Sequence, residues 1–174
     1  RTRSLHAQER RHCGQRQRPT DAANGEKYIA GAWAQYNSDP LNASPIALAN
    51  NAIGGRSMGY NSGTGAGQEG VPGATAPNNI GLLVGAFGNV TQRKTTAPVY
   101  FYVDDGSGLS DETITETAPG VFESNIGMRV DADPSGYASG SYVTVTGISS
   151  LFKSGGIIKP KIVPISGGIV VLKS

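Results

Sequence analysis

Val99-Tyr-Phe-Tyr-Val-Asp-Asp-Gly-Ser-Gly108 joins five aromatic and β-branched residues to a run of turn formers. That is the pattern of a strand leaving its sheet. Tyr100 and Tyr102 fall on one face, Phe101 and Val103 on the other. Upstream, Leu82, Val84, Ala86, Gly88 and Val90 alternate with Leu83, Gly85, Phe87 and Asn89, which predicts a long first strand whose glycines permit a sharp bend. A turn is expected at Gln92 to Pro98. Downstream, strands are predicted at Ile126 to Val130, at Ser141 to Ile148, and at Ile157 to Ile165 with Ile169 to Leu172 completing it. Pro160 and Pro164 assign that last strand to an edge. With no amphipathic helix in about ninety residues, the pattern predicts an all-β unit, a small five- to six-stranded barrel or sandwich.

The rest of the chain divides from this unit by composition. Residues 1–18 contain Arg1, Arg3, Arg10, Arg11, Arg16 and Arg18 against Glu9, and in residues 1–24, apart from alanine, only Leu5 and Cys13 are apolar. Such a segment reads as a basic, disordered or non-native leader. The other nine basic and twelve acidic residues leave the body at −3, so the overall charge of +2 describes the leader. Steering toward nucleic acid does not follow from it. Cys13 is the sole cysteine, which excludes an internal disulfide and zinc sites built from cysteine pairs. No apolar run is long enough to span a bilayer.

Residues 25–79 read as a strand remnant from Tyr28 to Gln35, then a Gly/Asn-rich linker or a long loop draped over the barrel, with one helical turn near Ile46 to Ala52. Residues 80–174 form the barrel.

An ordered series carries a resemblance: Asn78-Asn-Ile-Gly-Leu-Leu-Val84, Gly88-Asn-Val-Thr91, Tyr100 to Gly108, Gly127-Met-Arg-Val130 and Tyr142-Val-Thr-Val-Thr-Gly-Ile-Ser-Ser150. It resembles the OB-like C-terminal modules of large secreted or surface proteins from environmental, Armatimonadetes-like bacteria. Its central part is similar to the nucleic-acid-binding OB family that includes anticodon-binding barrels. The resemblance implies an OB-like β-barrel with an irregular N-terminal extension, secreted or at the cell surface. It also implies a piece of a larger parent protein whose other modules are partners.

OB folds bind ligands across their second and third strands, framed by the loops between strands one and two and between four and five. The expected ligand-binding residues are therefore Tyr100 and Tyr102 as stacking platforms, with Arg93, Lys94, Arg129, Phe152 and Lys153 around them. A glycan or a single-stranded nucleic acid is the expected partner, and a purely structural spacer is the plain alternative.

Catalytic motifs are weaker. Gly55-Arg-Ser-Met-Gly59 matches the G-x-S-x-G nucleophile elbow and makes Ser57 the alternative, a small serine hydrolase. That chemistry needs a downstream histidine, yet both histidines, His6 and His12, precede Ser57. Ser150-Leu-Phe-Lys153 matches S-x-x-K without the helix it requires, and Gly65-Ala-Gly-Gln-Glu-Gly70 matches G-x-G-x-x-G without a βαβ unit. No cofactor is assigned. Asp104, Asp105, Asp111, Asp131 and Asp133 are the carboxylates that could hold Ca²⁺, with Glu112 beside them, although Asp-Gly turns need no metal. A binding or structural module is favoured over an enzyme.

Overall fold

The computed structural model describes residues 20–23, 25–29 and 43–173. Twelve strands occur among them. β1 (Thr20–Ala23) and β2 (Glu26–Ile29) form one hairpin, and β4 (Met58–Asn61) and β5 (Ala66–Gln68) another. β3 (Ile46–Ala47) joins a larger sheet with β6 (Leu83–Lys94), β7 (Tyr100–Asp104), β10 (Met128–Val130), β11 (Tyr142–Ser154) and β12 (Ile157–Lys173). β8 (Ser110–Ala118) and β9 (Val121–Ile126) form a separate hairpin inserted between β7 and β10. The chain is thus all-β around a six-stranded mixed sheet, as its alternation predicts.

The pairings of five strands return to their start. β6 pairs with β7, β7 with β10, β10 with β12, β12 with β11, and β11 again with β6. Only the β10–β12 contact in this circuit is parallel, over Arg129↔Lys161 and Val130↔Ile162. Inward residues fill the space enclosed: Val84, Ala86 and Val90 from β6, Phe101 and Val103 from β7, and Met128 and Val130 from β10. Val143, Val145 and Ile162 complete this core from β11 and β12. The alternation of β6 and β11 and the inward assignment of Phe101 hold.

Closing so small a circuit brings backbones into contact. A Cβ on Gly88 would lie 2.1 Å from the Asp104 carbonyl oxygen, and one on Gly127 2.3 Å from that of Val103. Gly127 also takes φ 102°, which side chains rarely adopt, so it ends β9 and starts β10 where the sequence predicts one strand from Ile126 to Val130. At the other end, Gly155 and Gly156 take φ 58° and 80° between Ser154 and Ile157. Positive φ at both central residues matches the right-handed twist of the flanking strands and makes a two-residue hairpin.

Three expectations are corrected. β12 is not an edge at Lys161 and Ile162, where it pairs with β10 as well as with β11; it becomes one beyond them, Pro164 included. Pro160 and Pro164 fit because they flank that two-residue parallel contact and need no donor within it. β6 runs on to Lys94, so the turn begins later than Gln92. Thr20–Ala23, placed in the leader, pairs with Glu26–Ile29. Residues 1–19 and the rest of the strand expected to reach Gln35 lie outside the described residues.

Of the two readings of residues 43–79, the draped loop is the one that forms. Ile53 enters the core, 1% exposed. Asn79 staples the segment: its Oδ1 accepts from Gly54 N (2.8 Å) and Ser149 Oγ (2.8 Å), and its Nδ2 donates to Ala52 O (2.7 Å). Asn50, fully buried, donates through Nδ2 to Val103 O (2.6 Å) and through its backbone N–H to Asp105 Oδ2 (2.8 Å). Asn50 begins a single 3₁₀ turn, Asn50–Ala52, near where the sequence suggests a helical one.

Phe101 is wholly buried in this core. Phe101→Ala should cost about 3–5 kcal/mol in chemical denaturation, the usual penalty for emptying a buried aromatic site. A loss below about 1 kcal/mol would place the ring outside the core.

Candidate functional site

The outer face of β7 and β10 gathers four of the seven residues expected to bind ligand. Tyr100 and Tyr102 project from β7, Arg129 from β10 opposite Tyr102, and Phe152 from β11. The Arg129 guanidinium lies between two rings, 4.0 Å from the centroid of Tyr100 and 4.4 Å from that of Phe152. Asp131 fixes it through Nε at 2.7 Å and also takes Lys161 Nζ at 2.8 Å.

This face is not open. The β8–β9 hairpin lies over it, leaving Tyr102 1% and Tyr100 9% exposed. Tyr102 Oη donates to Asp111 Oδ2 (2.7 Å) and meets Thr113 Oγ1 (3.2 Å), and Tyr100 Oη meets Thr115 Oγ1 (3.3 Å). Behind them Asn125 donates to Thr113 Oγ1 (2.7 Å) and accepts from Thr115 Oγ1 (2.8 Å). Thr91 Oγ1 on β6 donates to Ile126 O (2.6 Å). The expectation that Tyr100 and Tyr102 form an accessible stacking platform is corrected, because an inserted hairpin with a hydroxyl-rich underside occupies the place a base or sugar would take. Burial pushes the Tyr102 hydroxyl far above the usual phenol range; Thr113 offsets this in part and the Asp111 carboxylate adds to it. It therefore remains a donor.

The hairpin is the feature the sequence reading missed, and two signals could have found it. Thr113, Thr115 and Thr117 alternate at period two, and Pro119-Gly120 is a turn dipeptide, with Gly120 at φ 75°.

The other expected ligand residues lie apart. Arg93 donates through Nη2 to Pro134 O (2.9 Å), and its Nε is buried without a partner. Lys94 donates to Thr96 Oγ1 (3.2 Å), and Lys153 is exposed on β11. Ser57 Oγ accepts from Gly70 N (3.1 Å) in an irregular stretch, and both histidines lie outside the described residues. Ser150, of the S-x-x-K match, is buried within β11 and not at a helix start.

The carboxylates proposed for Ca²⁺ serve local roles. Asp104 accepts from Gly106 N, Asp133 from Ser135 N, and Asp111 and Asp131 from the groups above. Burial acts to raise Asp105, but its bonds from Ser107 and Asn50 outweigh that and hold the carboxyl below its ordinary value. No three His, Cys, Asp or Glu side chains gather to hold a metal among the described residues.

At the base of the hairpin a cleft of about 450 Å³ opens, within the range of small-ligand sites. Ile53, Val71, Pro72 and Ile158 form apolar walls. Asn51, Ser110, Glu112 and Lys159 supply polar groups. Lys159 is unusual among them. Its side chain is 11% exposed, its ammonium makes no hydrogen bond among the described residues, and its one ion pair is with Glu112 at 3.9 Å. Glu112, 83% exposed at its side chain, holds φ 59°, a left-handed conformation unfavourable for a residue with a Cβ. Cation, carboxylate and strained backbone meet at one mouth.

No protein-family model, curated protein or solved structure matches the chain. No helix among the described residues is long and apolar enough to cross a membrane.

The Tyr102–Asp111 bond makes a testable contribution. Losing a hydrogen bond to a charged group costs about 1.5–3 kcal/mol, so Tyr102→Phe should destabilise the fold by that amount at neutral pH. A hydroxyl whose value is raised on folding contributes fully below its unfolded value, about 10, and its contribution is lost as pH rises above that. Wild-type stability should then fall between about pH 9 and 11 more steeply than that of Tyr102→Phe in urea titrations. Equal slopes would mean that the hydroxyl ionises as freely in the folded protein.

Proposed function

We propose that this chain is a non-catalytic binding module, an OB-like barrel from a secreted or surface protein, and that it holds a short, neutral oligosaccharide in the cleft at the base of β8–β9. The observation that carries this reading is the apolar-walled cleft itself, with the Lys159 ammonium facing Glu112 at 3.9 Å and making no hydrogen bond among the described residues. A ligand acceptor would give this ammonium a charge-assisted hydrogen bond in place of water. Sugar hydroxyls both donate and accept, so one ligand can satisfy Lys159, Glu112, Asn51 and Ser110 while its ring faces Val71 and Pro72.

Charge favours a neutral ligand. Asp111 and Glu112 border the cleft against Lys159 alone, so a polyanion such as single-stranded nucleic acid meets net repulsion there. Strand order supports the OB-like assignment, with five strands paired in a circuit and a single parallel contact between its third and last members. Among the described residues the one hydrogen bond of the Ser57 hydroxyl is from Gly70 N, so no observation favours the hydrolase.

Calorimetric titration against a panel of neutral oligosaccharides and single-stranded oligonucleotides tests the proposal. A neutral glycan should bind with an affinity unchanged between about 50 and 200 mM salt, whereas nucleic-acid affinity falls steeply over that range. Lys159→Met should weaken glycan binding about 10-fold or more, the value of a charge-assisted hydrogen bond. No glycan binding, or binding indifferent to Lys159→Met, would overturn the reading.

A further inference from the structure

The last part of β12 is a free sheet edge. β11 pairs with it up to Lys173, but on its other side β10 reaches only Lys161 and Ile162. Beyond Ile162 that side has no strand partner among the described residues. A bulge frees it further: Val145 pairs with Ile169 and Gly147 with Pro164, so residues 165–168 stand out of the ladder. Past the bulge the strand reads Ile169-Val-Val-Leu-Lys173. Val170, Val171 and Leu172 are 51%, 41% and 59% exposed. Natural edges are commonly blunted by inward charges, prolines or a covering element. Here no charge occurs between Pro164 and Lys173.

We propose that this edge pairs with the same edge of a second copy of the chain, joining two β6–β11–β12 faces into one continuous sheet. Self-pairing follows from the strand's own pattern. A two-fold axis through Val170 runs the two strands antiparallel and keeps each side chain on its own face of the sheet. Val170 then opposes Val170 of the second copy, and Ile169 opposes Val171. Apolar residues meet apolar residues across the junction, and Lys173 lies three residues from the axis, so no like charges oppose one another. Aliphatic cross-strand pairs of this kind are the unit of sheet stabilisation.

Analytical ultracentrifugation of the wild type and of two variants at the axis tests this register. Val170 is exposed and pairs with Thr144, so a charge there leaves the core untouched. The wild type should show a concentration-dependent monomer–dimer equilibrium. Val170→Lys and Val170→Glu should each be monomeric, because the axis sets identical charges against each other. Mixed in equal amounts, they should form a one-to-one dimer, while far-ultraviolet circular dichroism of each stays native. A wild type monomeric to about 1 mM would overturn the proposal, since that excludes even a weak association of about 4 kcal/mol. So would variants that dimerise as well as the wild type, or a mixture that stays monomeric.

Discussion

The hydrogen bond from the Tyr102 hydroxyl to the Asp111 carboxylate holds the constraint on which this structure turns: β7 is buried on both faces. Phe101 and Val103 face the core, as in any strand of a closed sheet, while Tyr100 and Tyr102 are equally removed from water. Two phenols buried together need acceptors, and burial without them is expensive. The β8–β9 hairpin supplies these acceptors from Asp111, Thr113 and Thr115. Its underside is polar because what it covers is polar. The apolar residues Ile114, Val121 and Phe122 are left exposed. This division reverses the usual sheet, whose apolar face is the covered one.

Covering the β7–β10 face moves any binding surface elsewhere. Where an open face would offer aromatic rings, this sheet offers the hairpin's back and the cleft at its base. Arg129, clamped between Tyr100 and Phe152 and neutralised by Asp131, acts as an internal strut. The cleft exists because three segments meet without filling the space between them: the loop at Asn50 to Ile53 with Val71 to Ala74, the start of the hairpin, and the start of β12. Two buried asparagines hold the first of these in place. Asn79 binds it to β11 and Asn50 to the end of β7, so the loop is a wall of the cleft and not a tether to it.

The sheet was legible where side chains alternate between apolar and polar. Val84, Ala86 and Val90 on β6, Phe101 and Val103 on β7, and Val143 and Val145 on β11 all point inward as their spacing requires. Legibility failed wherever burial was polar. Asp111, Thr115 and Asn125 look like solvated loop residues by type, yet each is at most 6% exposed, because their partners are other buried polar groups. The same blindness applies to Asn50 and Asn79, whose amides replace backbone partners for a segment with little regular structure of its own. Composition cannot distinguish such a segment from a linker, since the decisive contacts join residues far apart in the chain. Of the expected ligand residues, Tyr100, Tyr102, Arg129 and Phe152 lie together. Their exposure depends on an insertion that strand periodicity does not report.

Tyrosine accessibility measures directly whether the β8–β9 hairpin seals the aromatic face of the sheet. Photochemically induced nuclear polarisation with a flavin dye enhances only those tyrosine rings that the dye can touch. Tyr60, 37% exposed, should give a signal, while Tyr100 and Tyr102 should be silent in the folded protein. Enhanced signals from Tyr100 and Tyr102 comparable to that of Tyr60 would show an open face and contradict the account.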